Sequence, residues 1–201
     1  MDADAALAAR LAADLDRWFP DLVDAHAPRC YTIALRLLGL PADAEEVAQD
    51  ALVRAHRAMS GYDTERIGDL RLRPWLASIV VNLARNRRRR AQDRRPALAL
   101  EPLVDAGFDP ATAAVSVMPH ERAARRETSS TLAAALLALP PGPRAAVVLR
   151  HVDGLSVAEV AAALGRPEGT VKAQVSRGLA RLRISLADDP DLAPRRREMT
   201  A

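Results

Sequence analysis

The chain has few aromatic residues and a single cysteine, and these two shortages exclude several classes of protein. Aromatic side chains make up 3% of the 201 residues, whereas alanine supplies 42 of them. Alanine-rich sequence with so few large rings favours small helical bundles over one thick core. Cys30 alone cannot form an internal disulfide or a cysteine-rich zinc site, and the four histidines lack metal-ligand spacing. We therefore expect no metal and no cofactor.

The sequence also lacks a long apolar run and an export signal. No stretch approaches the roughly 18 apolar residues of a membrane span. Asp2 and Asp4 stand where a signal peptide is cationic. We expect no membrane insertion and a cytoplasmic location. Because no carboxylate pair, nucleophile–base set or phosphate-binding glycine loop is present, we do not expect an enzyme.

Lysine is almost absent, since the 29 basic residues are 28 arginines and Lys172. Arginine presents a planar fork that fits phosphate or guanine. The net charge is only +3, but residues 66–95 carry ten basic residues against two acidic ones, and residues 1–65 carry six against twelve. This segmentation predicts one surface for a polyanion and another for a different partner. A solvated arginine-rich helix end is the alternative.

Helical periodicity dominates the chain, and no useful run alternates like a strand, which predicts an all-α protein. We expect two small helical domains, over 18–92 and 128–186, joined by a flexible linker over 93–127. More than 30 irregular residues are unusual inside one domain, and this favours a linker. Residues 1–17 are interpreted as an N-terminal extension and residues 187–201 as a disordered tail.

The first domain is predicted to hold three helices. One ends at Gly39, the second is capped by Asp43, and the third has Pro74 in its first turn. A polar loop is expected over Gly61–Arg73. The apolar positions that define the buried faces are Leu22, Cys30, Ile33, Ala34, Leu37, Leu38, Val47, Ala51, Leu52, Ala55, Met59, Trp75, Leu76, Ile79, Val80 and Leu83.

The second domain has the pattern of a helix-turn-helix. Ser156 and Glu159 have the spacing of a capping box, Gly165 ends that helix, and Thr170 is expected to cap the next one. That helix is predicted to bury Val171, Val175, Leu179 and Leu182. Its opposite face is polar, cationic and free of carboxylates, which suits the DNA major groove, while an ordinary solvated hairpin is the alternative. The residues predicted to be exposed there are Lys172, Ala173, Gln174, Ser176, Arg177 and Arg181.

These segments resemble a known family. Leu155–Gly165, Pro167–Lys172 and Arg177–Arg183 are similar to region 4 of bacterial RNA polymerase sigma factors of the extracytoplasmic-function (ECF, group 4) subfamily. Asp43–Leu52 resembles their region 2.2, and Pro74–Leu83 with the arginines that follow resembles region 2.4. Other sigma groups carry an extra folded domain between these regions, for which the linker leaves no room.

The resemblance implies partners for each surface. Core RNA polymerase would be bound at its β′ clamp and β flap, with region 2.2 on the clamp, and promoter DNA at its −10 and −35 elements. The implied clamp contacts are Glu45, Glu46, Gln49, Asp50 and Leu52. The implied −10 contacts are Tyr62, Arg73, Asn82, Arg85, Arg87, Arg88 and Arg89. The implied −35 contacts are Thr170, Lys172, Gln174, Ser176, Arg177 and Arg181.

Some of these assignments have alternatives. A plain hydrogen-bonded helix residue explains Asn82 as well as base recognition does, and Trp75 is expected in the core rather than in a base stack. Ala173-Gln174 stands where the family often has Ser-Arg, so the usual −35 preference does not transfer directly. An anti-sigma factor is the family's frequent regulatory partner, and the sequence identifies none.

The sequence is best interpreted as a sigma factor that starts transcription at promoters with −35 and −10 elements. One alternative is a stand-alone helix-turn-helix regulator that binds duplex DNA as a dimer without polymerase. A second is an adaptor that docks on polymerase but does not initiate. Run-off transcription with core polymerase separates the three.

Overall fold

A computed structural model describes residues 3–93 and 130–187. Every regular element within these ranges is a helix, which confirms the predicted all-α class. The predicted linker, apart from Asp93, and the predicted tail, apart from Ala187, lie outside the described residues.

The helices are numbered in chain order. The first domain holds α1 Ala3–Ala13, α2 Leu15–Leu38, α3 Pro41–Met59, α4 Thr64–Gly68 and α5 Leu72–Asp93. The second holds α6 over 130–138, α7 Pro141–Val147, a π-helix Val148–Val152, α8 Val157–Leu164 and α9 Glu168–Ala187.

The core of the first domain lies between α2, α3 and α5, which pack against one another. All five apolar positions predicted for α3, from Val47 to Met59, are buried. Helix α1 adds Leu7, Ala8 and Leu11 to the same core. The core thus includes residues that the sequence analysis placed in an N-terminal extension.

The structure differs from the prediction at the start of α3 and in the segment before α5. Helix α3 begins at Pro41 with Leu40 as its N-cap, so Asp43 lies in the first turn instead of capping the helix. The segment predicted as a polar loop contains α4, because the Asp63 side chain caps it by accepting from the Arg66 N–H at 2.8 Å and Ile67 is buried. Gly39 ends α2 in the left-handed conformation with φ 81°, as predicted.

The helix-turn-helix of the second domain follows its predicted capping. Ser156 Oγ accepts from the Glu159 N–H at 3.2 Å, and Glu159 Oε2 accepts from the Ser156 N–H at 2.8 Å. Gly165 ends α8 with φ 61°. Helix α9 begins at Glu168, so Thr170 lies inside its first turn and the prediction that Thr170 caps it is wrong.

The buried face of α9 differs from the predicted apolar face. It consists of Val171, Gln174, Gly178 and Leu182, whereas Leu179 is 37% exposed. The cause is Gly178, where an added Cβ would lie 2.5 Å from Cγ2 of the buried Val147. The missing side chain at this position lets α7 approach α9 closely.

The Gly178 contact predicts a matched pair of stability changes. Gly178→Ala is expected to lower the free energy of unfolding by about 1–3 kcal/mol, because the new methyl group overpacks Val147. The control Gly169→Ala lies in the same helix with no atom within 4 Å of the added Cβ, and it should stabilise by up to about 1 kcal/mol. Urea unfolding followed by circular dichroism measures both. Equal effects of the two changes would contradict the close approach.

Candidate nucleic-acid and polymerase-binding surfaces

The exposed side of α9 carries most of the residues predicted for the −35 element. Thr170, Lys172, Ser176, Arg177 and Arg181 are all exposed. The Arg177 side chain folds along its own helix, since its Nε donates to the Ala173 carbonyl at 3.1 Å. These groups leave several donors on a helix face that points away from the core.

Residues of α9 predicted to contact the −35 element line two separate grooves. Lys172 and Ser176 line one of about 410 Å³, together with the exposed Arg183. Arg177 and Arg181 line another of about 240 Å³, on the side of α9 that faces Pro140 and Pro143. Arg183 was not among the predicted site residues, although its position seven residues after Ser176 places it on the same helix face.

Gln174 is not on the exposed face, which corrects the prediction for this residue. It is 7% exposed, and its side-chain amide lies against Gly142 of α7. Gln174 forms part of the contact between α7 and α9, so in this arrangement it is not available to read a base.

The arginine run on α5 divides into free and paired side chains. Arg85 and Arg89 are exposed, Arg88 is half-buried, and Asn82 is exposed one turn before them. The guanidinium of Arg87 instead lies 2.6 Å from an Asp43 oxygen and 2.5 Å from a Glu46 oxygen of α3, and these carboxylates raise its pKa. Arg87 therefore ties the predicted DNA-binding helix to the predicted polymerase-binding helix.

The segment before α5 holds one aromatic side chain in a defined setting. The Arg66 guanidinium stacks 3.7 Å from the ring centroid of the half-buried Tyr62. Trp75, 6.4 Å from that ring between centroids, packs against the core, as predicted. Arg73 is half-buried, and its Nη2 donates to the Asp153 carbonyl of the second domain at 2.8 Å.

The acidic face of α3 is exposed, but one of its predicted members is not. Glu45, Glu46, Gln49 and Asp50 are exposed, whereas Leu52 is 9% exposed and belongs to the core. Val53 is 49% exposed and lies on the acidic face, one turn from Asp50. The resemblance implied Leu52 as a polymerase contact, but Leu52 is buried and the exposed apolar side chain next to Asp50 is Val53.

Some titratable side chains of the first domain have no place in such surfaces. Cys30 is buried, and burial together with the nearby Asp153 carboxylate raises the pKa of its thiol to about 11. Within residues 3–93 and 130–187, no group of three metal-type side chains is placed to hold an ion. No helix in these ranges is long and apolar enough to cross a membrane.

Comparison with known proteins gives consistent matches to both halves. Residues 22–95 match the family model "Sigma-70 region 2", and residues 129–182 match "Sigma-70, region 4". The chain is 33% identical to the ECF RNA polymerase sigma factor SigW of Bacillus subtilis over 85% of this chain and 89% of that protein. It is 31% identical to the RNA polymerase sigma factor CnrH of Cupriavidus metallidurans over 94% and 97% of the two chains. The solved structure of CnrH in complex with the cytosolic domain of CnrY superimposes with a TM-score of 0.66 at 30% identity, covering 94% of this chain and 99% of that one.

Proposed function

The chain belongs to the extracytoplasmic-function family of RNA polymerase sigma factors, and from this premise we propose how its surfaces divide the work. The proposal is carried by one observation: exposed cationic faces on α5 and α9 and an exposed acidic face on α3 lie on one chain. Because polymerase and DNA require different electrostatic surfaces, the acidic face docks on the enzyme and the cationic faces bind the promoter.

The second domain contacts the −35 element through α9. Arg177 and Arg181 supply forks for guanine edges or phosphates, while Lys172 supplies a point charge for phosphate. Thr170 and Ser176 add hydroxyl groups on the exposed side. Arg183 joins this set, because it is exposed beside Lys172 and Ser176.

The first domain contacts the −10 element through α5 and the segment before it. Arg85, Arg88 and Arg89 grip the phosphate backbone, and Tyr62 and Asn82 lie where unpaired bases are held. The half-burial of Tyr62 against Arg66 leaves part of its ring for stacking.

The first domain also docks on core polymerase through α3. Glu45, Gln49 and Asp50 form a polar rim around the exposed Val53, which is the arrangement of an interface centre surrounded by charge. Glu46 adds to this rim while also holding Arg87. Polymerase docking and the arginine run of α5 are therefore neighbours on one surface.

The chain acts as a specificity subunit without chemistry of its own, in the cytoplasm where core polymerase and promoter DNA meet. A protein regulator of the anti-sigma type is a further partner that we propose, since the related CnrH is held by the cytosolic domain of CnrY. No residue of this chain is assigned to that contact.

Run-off transcription tests the function directly. Core polymerase should produce a defined transcript from a matched promoter fragment only when the protein is added, and the protein alone should bind the duplex weakly. Tight dimeric binding without polymerase would support a stand-alone regulator. A protein that binds core polymerase but yields no run-off transcript, even from promoters that become active when the protein is overproduced, would support an adaptor.

Recognition of the −35 element predicts different losses from two neighbouring cations. Arg177→Ala should lose on the order of 1–3 kcal/mol of discrimination at a single base pair, because a bidentate contact to one guanine disappears. Lys172→Ala should weaken all promoters more evenly, because phosphate carries no sequence. Transcription from a set of −35 variants measures both, and equal losses on every promoter would remove Arg177 from base recognition.

The acidic face of α3 predicts opposite phenotypes for two adjacent residues. Val53→Asp should reduce affinity for core polymerase at least about tenfold without unfolding the protein, because it places a charge at the interface centre. Leu52→Ala should lower the free energy of unfolding by about 2–5 kcal/mol, because it empties a core position. Surface plasmon resonance with core polymerase and urea unfolding separate the two. Wild-type polymerase affinity for a folded Val53→Asp protein would exclude this face.

A further inference from the structure

A buried carboxylate of the second domain, Asp153, joins two arginines of the first. Its side chain is 2% exposed, and Oδ1 lies 2.5 Å from Nε of Arg29 on α2. Nη2 of Arg29 also donates to the Asp153 carbonyl at 2.9 Å, and Nη2 of Arg73 on α5 donates to the same carbonyl at 2.8 Å. Two guanidinium forks from separate helices thus converge on one residue of the other domain.

The turn that presents Asp153 is defined by its backbone. The Asp153 N–H donates to the Val148 carbonyl at 2.9 Å, which closes the last wide turn of the π-helix. Gly154 follows with φ 74°, a conformation that residues with a side chain rarely adopt. This geometry brings both the carboxylate and the carbonyl of one residue against the first domain.

The hydrogen-bonding capacity of this contact is not fully used. Arg29 pairs with the Asp153 carboxylate, whereas Arg73 reaches only the carbonyl. Among the described residues neither Arg73 Nε nor Asp153 Oδ2 has a hydrogen-bond partner, although both atoms are buried. His26 lies beside the cluster, where burial lowers its pKa, and its Nε2 lies 3.5 Å from a second carboxylate, that of Asp4 on α1. The site keeps unused donor capacity at Arg73 Nε.

We propose that Arg29 and Arg73 form a phosphate-binding site on the first domain. Asp153 occupies this site while the two domains are closed. Once the domains separate, a phosphate of promoter DNA takes its place. This inference rests on the proposed function, in that it takes promoter DNA as the ligand. The guanidinium group of an arginine donates to carboxylate and phosphate oxygens in the same paired geometry. A DNA phosphate has two anionic oxygens that can accept hydrogen bonds. From Asp153 the two arginines contact one carboxylate oxygen and the backbone carbonyl oxygen.

Domain separation is required by the dimensions of a promoter. Elements centred near −35 and −10 lie about 25 base pairs apart, or roughly 85 Å along DNA. A closed body of about 150 residues is only about 40 Å across. The protein must therefore open to contact both elements, and opening removes Asp153 from the two arginines.

The other polar contacts between the domains are easier to break. Arg71 and Glu159 form an ion pair of 2.8 Å with Arg71 largely exposed, and such surface pairs contribute about 0–1 kcal/mol. Arg144 donates to the Leu37 carbonyl at 2.8 Å across the interface, but it also donates to the Leu139 carbonyl within its own domain. Asp153 instead pairs a buried carboxylate with the partly buried Arg29 across the interface.

Domain separation is measured in the full chain by single-molecule energy transfer. Dyes are attached at Ser60→Cys and Ser185→Cys, two exposed positions, in a Cys30→Ser background. Asp153→Asn should shift the population toward longer distances. The control Asp24→Asn makes the same charge change at an exposed residue of α2 and should leave the distances unchanged.

Phosphate binding is measured with the free protein and an oligo(dT) single strand of about 15 nucleotides, by fluorescence anisotropy. Asp153→Asn should bind about threefold to tenfold more tightly than Asp24→Asn, because a larger fraction of the protein is open. Arg29→Gln also opens the domains but should gain no affinity. Adding Arg29→Gln to Asp153→Asn should abolish the gain and lower the salt slope by about 0.7, the value for one phosphate contact.

Three results would overturn the proposal. The first is an unchanged distance distribution in Asp153→Asn. The second is opening without tighter DNA binding. The third is an equal gain in affinity from Arg29→Gln, which would make the contact a simple tether.

If Asp153→Asn does not fold, the wild-type protein provides the test. Oligo(dT) should then increase the open population of the wild-type protein, and Arg29→Gln should reduce that increase; the absence of either effect would overturn the proposal. Neither measurement uses polymerase or a promoter sequence, so failure of run-off transcription would count against the sigma-factor function and not against this site.

Discussion

Three arginines donate to backbone carbonyls of the opposite domain, and the closed arrangement of the molecule depends on them. Arg29 and Arg73 reach the Asp153 carbonyl, and Arg144 reaches the Leu37 carbonyl near the end of α2. Carbonyls at a helix C-terminus carry partial negative charge and lack partners within the helix, so a guanidinium group can satisfy them. Such contacts add polar links to an apolar core that includes buried residues of both domains.

The number of arginines in the chain is therefore larger than the number available to contact DNA while the domains are closed. Each fork binds either a protein oxygen or a phosphate, and Arg73 and Arg87 already have protein partners in the closed state. Under the function proposed above, DNA would compete with Asp153 for Arg73 and with Asp43 and Glu46 for Arg87. A free sigma factor built in this way keeps part of its cationic surface occupied, which lowers its affinity for nonspecific DNA.

Periodicity predicted the buried face of α3 because that helix packs with a regular apolar stripe. It failed on α9, because Gly178 lets α7 approach and carries the polar Gln174 into the contact. On α3 it placed Leu52 in the buried face correctly, and the conflicting assignment of Leu52 to the polymerase contact came from the family resemblance.

The partners of single charged residues were beyond sequence reasoning for a different reason. Asp153 and its partner Arg29 are 124 positions apart in the sequence. The cap at Ser156, by contrast, depends on a residue three positions away and was predicted correctly. Local hydrogen bonds can be inferred from spacing, whereas contacts between domains depend on how whole helices pack.

The most direct test of the account is the distance between the two domains during initiation. Energy transfer between dyes on the two domains is recorded for the free protein and then with core polymerase on a promoter that yields transcript. The account predicts a compact distance for the free protein and a separation approaching the roughly 85 Å between the −35 and −10 elements in the initiating complex. Transcription from such a promoter while the domains keep their closed distance would contradict it.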